Sequence, residues 1–170
     1  IENQRPAFSG RFLLIDDGGQ AICLLHRKRY ADLIHRFTCI EQTRAGIRAV
    51  KKLALRVPGT NVAESQVKLQ YESPMIGESV KNELLKRLST LKSQGVHVGK
   101  RALIIGYGAI GRCTALELNN CGYEVTVLDS NATHRHKATQ DGFRCEDDKY
   151  AALPCADLVV GCTGTSVLDK

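Results

Sequence analysis

Apolar and polar positions divide this chain into two stretches with different rhythms. In the first, Arg11-Phe-Leu-Leu-Ile15 reads as a short buried strand running into Asp16-Asp17-Gly18-Gly19, a turn signal. Residues 20–36 carry a helical pattern, and residues 43–55 carry a second with Ile47, Val50 and Ala54 on one face. Pro58-Gly59-Thr60-Asn61 breaks the pattern, and a polar segment follows to Ser73. From Pro74 the rhythm changes. Ile76, Val80, Leu84, Leu88 and Leu91 recur at spacings of 4, 4, 4 and 3, an apolar stripe on a helix that Gly95 ends. A domain boundary is therefore expected near residue 73, separating 1–73 from 74–170.

Beyond Gly99-Lys100, four strand candidates alternate with helical stretches: 101–105, 124–128, 143–145 and 157–161. Such alternation predicts βαβ crossovers and a parallel sheet. Between the first two strands lies Gly106-Tyr-Gly108-Ala-Ile-Gly111, a GxGxxG turn opening a helix. Each part suits a dinucleotide. Gly106 permits the tight turn, Gly108 clears the approach of a pyrophosphate, and Gly111 lets helix and strand pack closely. The free N–H groups of the helix start, at Ala109, Ile110 and Gly111, then face the phosphates. Asp129 lies 18 residues past Gly111, at the end of the next strand, where an acid accepts hydrogen bonds from an adenosine ribose. A carboxylate there repels a 2′-phosphate, so NAD is expected rather than NADP. Arg135 could pair such a phosphate, but residues 130–137 read more simply as the solvated first turns of a helix. The expected architecture is a Rossmann-like doubly wound parallel sheet over 74–170. It is incomplete, because the chain stops at Lys170 before a second mononucleotide half. The last strand runs into a polar loop at Cys162-Thr163-Gly164-Thr165, which serves either as part of the ligand crevice or as an ordinary connection.

Composition narrows the class. The 170 residues are 43% hydrophobic, enough for one domain plus part of another, and no run approaches the ~18 apolar residues of a membrane span. The start, Ile1-Glu-Asn-Gln-Arg-Pro6, resembles neither a signal peptide nor an initiator methionine, so a fragment of a longer protein is expected. Seven scattered cysteines without a CxxC pair fit a reducing, cytoplasmic setting rather than a disulfide framework or a zinc site. His134 and His136, two apart, diverge on a helix, and no metal is expected. The net charge of +6 is spread along the chain except at Arg27-Lys28-Arg29, and aromatic residues make up only 5%. Nucleic-acid binding is the weaker reading.

Several motifs together resemble the S-adenosylhomocysteine hydrolase (adenosylhomocysteinase) family. Phe12-Leu-Leu-Ile-Asp-Asp-Gly-Gly19 resembles its strand and Asp-Asp-Gly-Gly turn, and Ile40-Glu-Gln-Thr-Arg-Ala-Gly46 stands in place of its Glu-Glu-Thr-Thr-Thr-Gly. Val57-Pro58, Asn61-Val62, Ser65 and Lys68 match a further segment, the glycine turn matches Gly-Tyr-Gly-x-Val-Gly, and Thr163-Gly164 resembles its Thr-Thr-Gly cofactor loop. The resemblance implies that residues 1–73 are part of an α/β substrate domain. It also implies an NAD-dependent hydrolase in which bound NAD transiently oxidises the 3′-hydroxyl of an adenosyl thioether. A place in one-carbon metabolism and assembly into a homo-oligomer are carried over with it. Asp17 would then be an active-site carboxylate and Lys68 the amine near the reacting hydroxyl. Without the family, Asp17 reads as a turn acid bonding its own backbone and Lys68 as a surface lysine.

The departures bear on activity. Gln42 replaces a carboxylate that contacts the substrate ribose, and its amide cannot take a proton. Thr43 keeps the first of three cofactor-contacting threonines, while Arg44 and Ala45 replace the others. Glu72 replaces an aspartate that assists the lysine, and Ser73 replaces an asparagine near the nicotinamide. Three classes stay open for the parent protein: an adenosylhomocysteinase-like enzyme, a diverged NAD-dependent oxidoreductase, and a non-catalytic NAD-binding module. These 170 residues alone are expected to be inactive.

Overall fold

The computed structural model describes residues 10–164 and 166–168; residues 1–6 and Thr165, read above, lie outside them. The chain divides into two compact units, Ile1–Lys68 and Leu69–Lys170. The division precedes residue 73 because a π-helical turn at Lys68–Glu72 leads directly into the next long helix.

The first unit holds a parallel sheet ordered β1 (Phe12–Asp16), β2 (Phe37–Glu41), β3 (Gly59–Asn61). Helices α1 (Gln20–Leu25) and α2 (Arg44–Val50) follow the first two strands. Its core is Ile22, Leu25, Ile34, Cys39 and Val57. The helix expected over 20–36 ends at Leu25 and is followed by two short 3-10 turns, Lys28–Tyr30 and Ile34–Arg36. Lys28 and Arg29 occupy the positions three and four beyond Leu25, so the apolar stripe has nothing to continue it. The second expected helix also shortens, to 44–50, with Thr43 as its N-cap. Conversely, the break at 58–61 contains β3. Its three exposed residues carry no hydrophobic alternation, and pairing with Cys39, Ile40 and Glu41 is what makes them a strand.

In the second unit, α3 (Ser73–Ser93) leads to a parallel sheet of β4 (Arg101–Ile105), β5 (Glu124–Leu128), β6 (Arg144–Glu146) and β7 (Leu158–Gly161), in the order β6-β5-β4-β7. α4 (Ala109–Asn120), α5 (Ala132–Gln140) and α6 (Lys149–Ala152) make the connections. Parallel pairing of 101–105 with 124–128 agrees with the expected α/β class. Alternate residues of β4 enter different cores. Ala102 and Ile104 pack with Ala115, Leu118 and Val127 on one face, while Leu103 and Ile105 pack with Leu128 and Ala152 on the other. Burial on both faces is what a doubly wound sheet requires. Gly77 sets how closely α3 and α4 approach, since a methyl there would meet the Cys113 Cβ at 2.7 Å. α4 and α5 end alike. Gly122 (φ +77) and Gly142 (φ +90) turn the chain, and the N–H groups of Tyr123 and Phe143 return to the carbonyls of Leu118 and Ala138. Each helix end thus delivers a buried aromatic into the core.

One polar cluster joins three of these elements. The Tyr107 hydroxyl donates to Asp141 Oδ2 at 2.7 Å, and Arg112 donates to both Asp141 oxygens at 2.6 and 2.9 Å. The Arg112 guanidinium, aided by the Tyr107 hydroxyl against the opposing effect of burial, holds the Asp141 carboxyl at about 2. A native pKa depressed below the unfolded value adds stability that is complete above pH ~4 and is lost as pH falls through ~2. Asp141→Asn is therefore expected to destabilise the protein by about 1–2 kcal/mol at pH 6–7. The deficit should shrink between about pH 4 and pH 2. Denaturant titrations of both proteins across that range check this, and a deficit independent of pH would refute the ionic account.

Candidate dinucleotide-binding site

The register Ile105↔Leu128 leaves Gly106 and Asp129 side by side at the carboxyl ends of β4 and β5. The Gly106 N–H donates to the Leu128 carbonyl at 2.8 Å, and the Tyr107 N–H donates to Asp129 Oδ2 at 2.6 Å. Gly106 has φ +95, and a methyl there would meet the Thr163 methyl at 2.8 Å. Conformation and space both demand glycine here. A methyl on Gly111 would run into the Gly106 carbonyl oxygen, so close helix–strand packing accounts for that glycine.

Gly108 is different. It is the N-cap of α4 with φ −71 and ψ −168, an extended backbone open to any residue, and no side chain caps the helix. Ala109, Ile110 and Gly111 form the first turn of α4, so their N–H groups have no intrahelical acceptor. Donors at a helix start, next to a residue without a side chain, fit a pyrophosphate.

The third wall comes from β7, which pairs with β4 on the side away from β5. The Cys162 N–H donates to the Ile105 carbonyl at 2.7 Å, bringing half-buried Thr163 against Gly106; exposed Gly164 (φ +66) follows. The chain adds β5 and β6 on one side of β4 and β7 on the other. The crevice therefore lies at a switch point of strand order, where open α/β sheets take ligands.

Asp129 is the acid of this crevice, its side chain only 9% exposed. Besides the Tyr107 N–H, it accepts the Asn131 N–H on Oδ1 at 2.8 Å, and His134 Nδ1 lies 2.9 Å from Oδ2. Burial pushes the carboxyl up, but these hydrogen bonds outweigh it and leave the group below the usual range. The reading of 130–137 as solvated turns holds for Ala132, Thr133, His136 and Lys137, which are exposed. It fails for His134 and Arg135, which are half-buried and turn back onto Asp129, Arg135 donating to the Asp129 carbonyl at 2.8 Å. Asn131 caps α5, and that cap sets the helical phase which returns residue 134 to the acid.

The first unit brings together part of the other candidate set. Lys68 Nζ donates to the Gln42 main-chain carbonyl at 2.5 Å. The Thr43 hydroxyl donates to Glu41 Oε1 at 2.7 Å and accepts the Gly46 N–H at 2.9 Å. Glu41 is buried and also accepts the Gly18 and Thr43 N–H groups, tying the Asp-Asp-Gly-Gly turn to the start of α2. Of the two turn acids, Asp16 is the buried one and accepts the Ile22 N–H at 2.8 Å, while Asp17 is exposed beside it. Arg44 and Ala45 are exposed. Glu72, exposed, and Ser73, buried, belong to the second unit. Sequence reasoning passed over Asp16, Glu41 and the Tyr107 phenol, and weighed His134 only as a metal ligand. Only for His134 was there a local signal, its place one helical turn beyond an Asp-Ser-Asn cap.

Residues 75–165 match the family described as D-isomer specific 2-hydroxyacid dehydrogenase, NAD binding domain. Adenosylhomocysteinase from Thermotoga maritima is 30% identical over the whole of this chain and 41% of its own length. The S-inosyl-L-homocysteine hydrolase of Methanocaldococcus jannaschii is 31% identical over 89% of this chain and 36% of its own. The chain thus spans about two fifths of the length of these relatives and resembles them at about 30% identity. Among solved structures, the NADPH-dependent glyoxylate/hydroxypyruvate reductase of Sinorhizobium meliloti, in complex with NADP and sulfate, has a TM-score of 0.54. It is 15% identical, covering 91% of this chain and 63% of that one, a likeness of fold.

The three glycines should separate by experiment. Gly106→Ala and Gly111→Ala are expected to destabilise the protein by roughly 1–3 kcal/mol through strain and overpacking. Gly108→Ala should leave the thermal midpoint within about 2 °C, since the extended backbone of this half-buried position suits any residue, and should weaken NAD binding at least about tenfold in calorimetry. Wild-type NAD affinity in Gly108→Ala would refute the pyrophosphate role of this position.

Proposed function

The chain belongs to the D-isomer specific 2-hydroxyacid dehydrogenase NAD-binding domain family, and on that premise we propose that it binds NAD across the glycine turn and serves an adenosylhomocysteinase-like hydrolase. The pyrophosphate lies over residues 106–111, the adenosine ribose on Asp129, and Thr163-Gly164 closes the far side. Convergence of these elements at the β4–β7 switch point is the observation that carries the cofactor reading. Bound NAD supplies a hydride acceptor for a substrate hydroxyl. The substrate class is an adenosyl or related nucleoside thioether. It rests on whole-chain similarity to hydrolases of such compounds and on the resemblance of the motifs that carry Asp17 and Lys68 to those of that family.

In this reading Lys68, anchored on the Gln42 carbonyl, handles the proton of the reacting hydroxyl. The Gln42 amide holds a ribose hydroxyl without taking its proton. Asp17 supplies a carboxylate at the carboxyl edge of β1, Ser73 contacts the cofactor, and Glu72 and Thr43 keep the roles that the family resemblance gives them. A second reading, an NAD-binding module without turnover, is favoured by one observation. The Thr43 hydroxyl is engaged as a helix cap on both its donor and acceptor sides.

Two measurements test these readings. At pH ~8, NAD is expected to bind more tightly than NADP, and Asp129→Ala to weaken NAD at least about tenfold, in line with the loss of a charge-assisted hydrogen bond. NADP binding as tight as NAD would overturn the role of Asp129. In the full-length protein, Lys68→Ala is expected to lower adenosylhomocysteine turnover by about 10²–10⁴-fold, as for loss of an acid–base group, with Gln42→Glu altering the rate. Absence of turnover in the wild type, with NAD bound, would leave the module reading.

A further inference from the structure

The Asp129 carboxylate is not alone at the ribose end of the crevice. His134, in the first turn of α5, sets Nδ1 2.9 Å from Asp129 Oδ2, with its side chain 37% exposed. Arg135 follows, one guanidinium nitrogen on the Asp129 carbonyl at 2.8 Å and the other 3.6 Å from exposed Asp147. A carboxylate excludes a 2′-phosphate by its charge, and an imidazolium in contact with it cancels that charge. A neutral imidazole at the same place leaves it intact.

We propose that His134 determines specificity for the adenosine ribose, making the choice between a 2′-hydroxyl and a 2′-phosphate depend on pH. Neutral His134 leaves Asp129 to reject NADP. Protonated His134, with Arg135 beside it, presents a net positive edge that admits the phosphate. The inference rests on the placement of the ribose at Asp129.

Among the described residues, each element next to the pair carries charged groups. On α5 they are Arg135, Lys137 further along, and exposed His136. After β6 comes Asp147, and on β6 the Arg144–Glu146 pair, which is turned on itself at 3.0 Å. The glycine turn contributes the Tyr107 phenol, bound to Asp141 and through it to Arg112 of α4. Carboxylate and guanidinium side chains as a class hold their charge over the interval in which imidazoles change theirs.

The test compares wild type with His134→Gln, whose amide keeps a donor for Asp129 but does not titrate in this interval. Calorimetry with NAD and NADP at about pH 5.5 and pH 8 yields the preference for NAD at each pH. A 2′-phosphate has its own pKa near 6, and this contributes equally in both proteins. The expected result is that the wild-type preference falls, on acidification, by at least about tenfold more than that of His134→Gln, as removal of a neighbouring unit charge implies. An independent check needs only wild type. By linkage, NADP should raise the His134 titration midpoint followed by NMR more than NAD does. Equal changes in the two proteins, or equal midpoints with both nucleotides, would overturn the proposal while tight NAD binding at pH 8 kept the site itself. Failure of NAD to bind at pH 8 would overturn both.

Discussion

The hydrogen bond from the Tyr107 N–H to Asp129 Oδ2, at 2.6 Å, is the contact on which the crevice depends. It joins the loop after β4 to the end of β5. The same loop is held from beneath by the Tyr107 phenol on Asp141, and at its start by the Gly106 N–H on the Leu128 carbonyl. A glycine-rich turn is floppy in isolation, and phosphate recognition needs its N–H groups aimed before the ligand arrives. Three fixed points supply that aim here. A buried tyrosine between two glycines thus acts as an anchor for the turn rather than as a contact surface for the ligand.

Asp129 serves several partners at once. It accepts two main-chain N–H groups and faces an imidazole, an environment that keeps the carboxylate ionised in spite of burial. An acid so held is a structural tie as well as the proposed reader of the ribose, so substitutions there act on turn geometry too. The parallel in the first unit is Glu41, which accepts N–H groups from the Asp-Asp-Gly-Gly turn and the α2 cap. Burial raises its carboxyl, yet the Thr43 and Gly18 hydrogen bonds bring it below the usual range. Both units therefore use a buried carboxylate at the carboxyl end of a parallel strand to organise the adjoining loops.

The family match covers the second unit from residue 75, while similarity to the hydrolases runs through the first as well. The candidate dinucleotide site thus lies in the part of the chain that the family match covers, and the departures from the adenosylhomocysteinase motifs lie at Gln42, Arg44 and Ala45 in the other. Two of these three are exposed, and the half-buried Gln42 engages Lys68 through its main chain, which any residue provides. Replacement at these positions therefore leaves the local fold with little to lose, whatever it does to chemistry.

Local pattern alone determined the strands at 101–105 and 124–128, the helix beginning near Pro74, the glycine turn and the acid after β5. Each is written in contiguous residues, as a short apolar run, a 3.6-residue stripe or a turn signal, and needs no distant partner to be recognised. Tertiary structure decided the rest. β3 exists because β2 lends it a ladder, and the helix from residue 20 stops at Leu25 while Ile34 reaches the same core from a 3-10 turn. Asp16 rather than Asp17 is buried because strand register turned the first acid inward to the Ile22 N–H of α1. The Tyr107–Asp141–Arg112 cluster joins residues 29 and 34 positions apart, and His134 reaches Asp129 only once the Asn131 cap has set the phase of α5. Such pairings depend on which surfaces meet after the chain has folded, and a linear pattern records the surfaces but not their meeting.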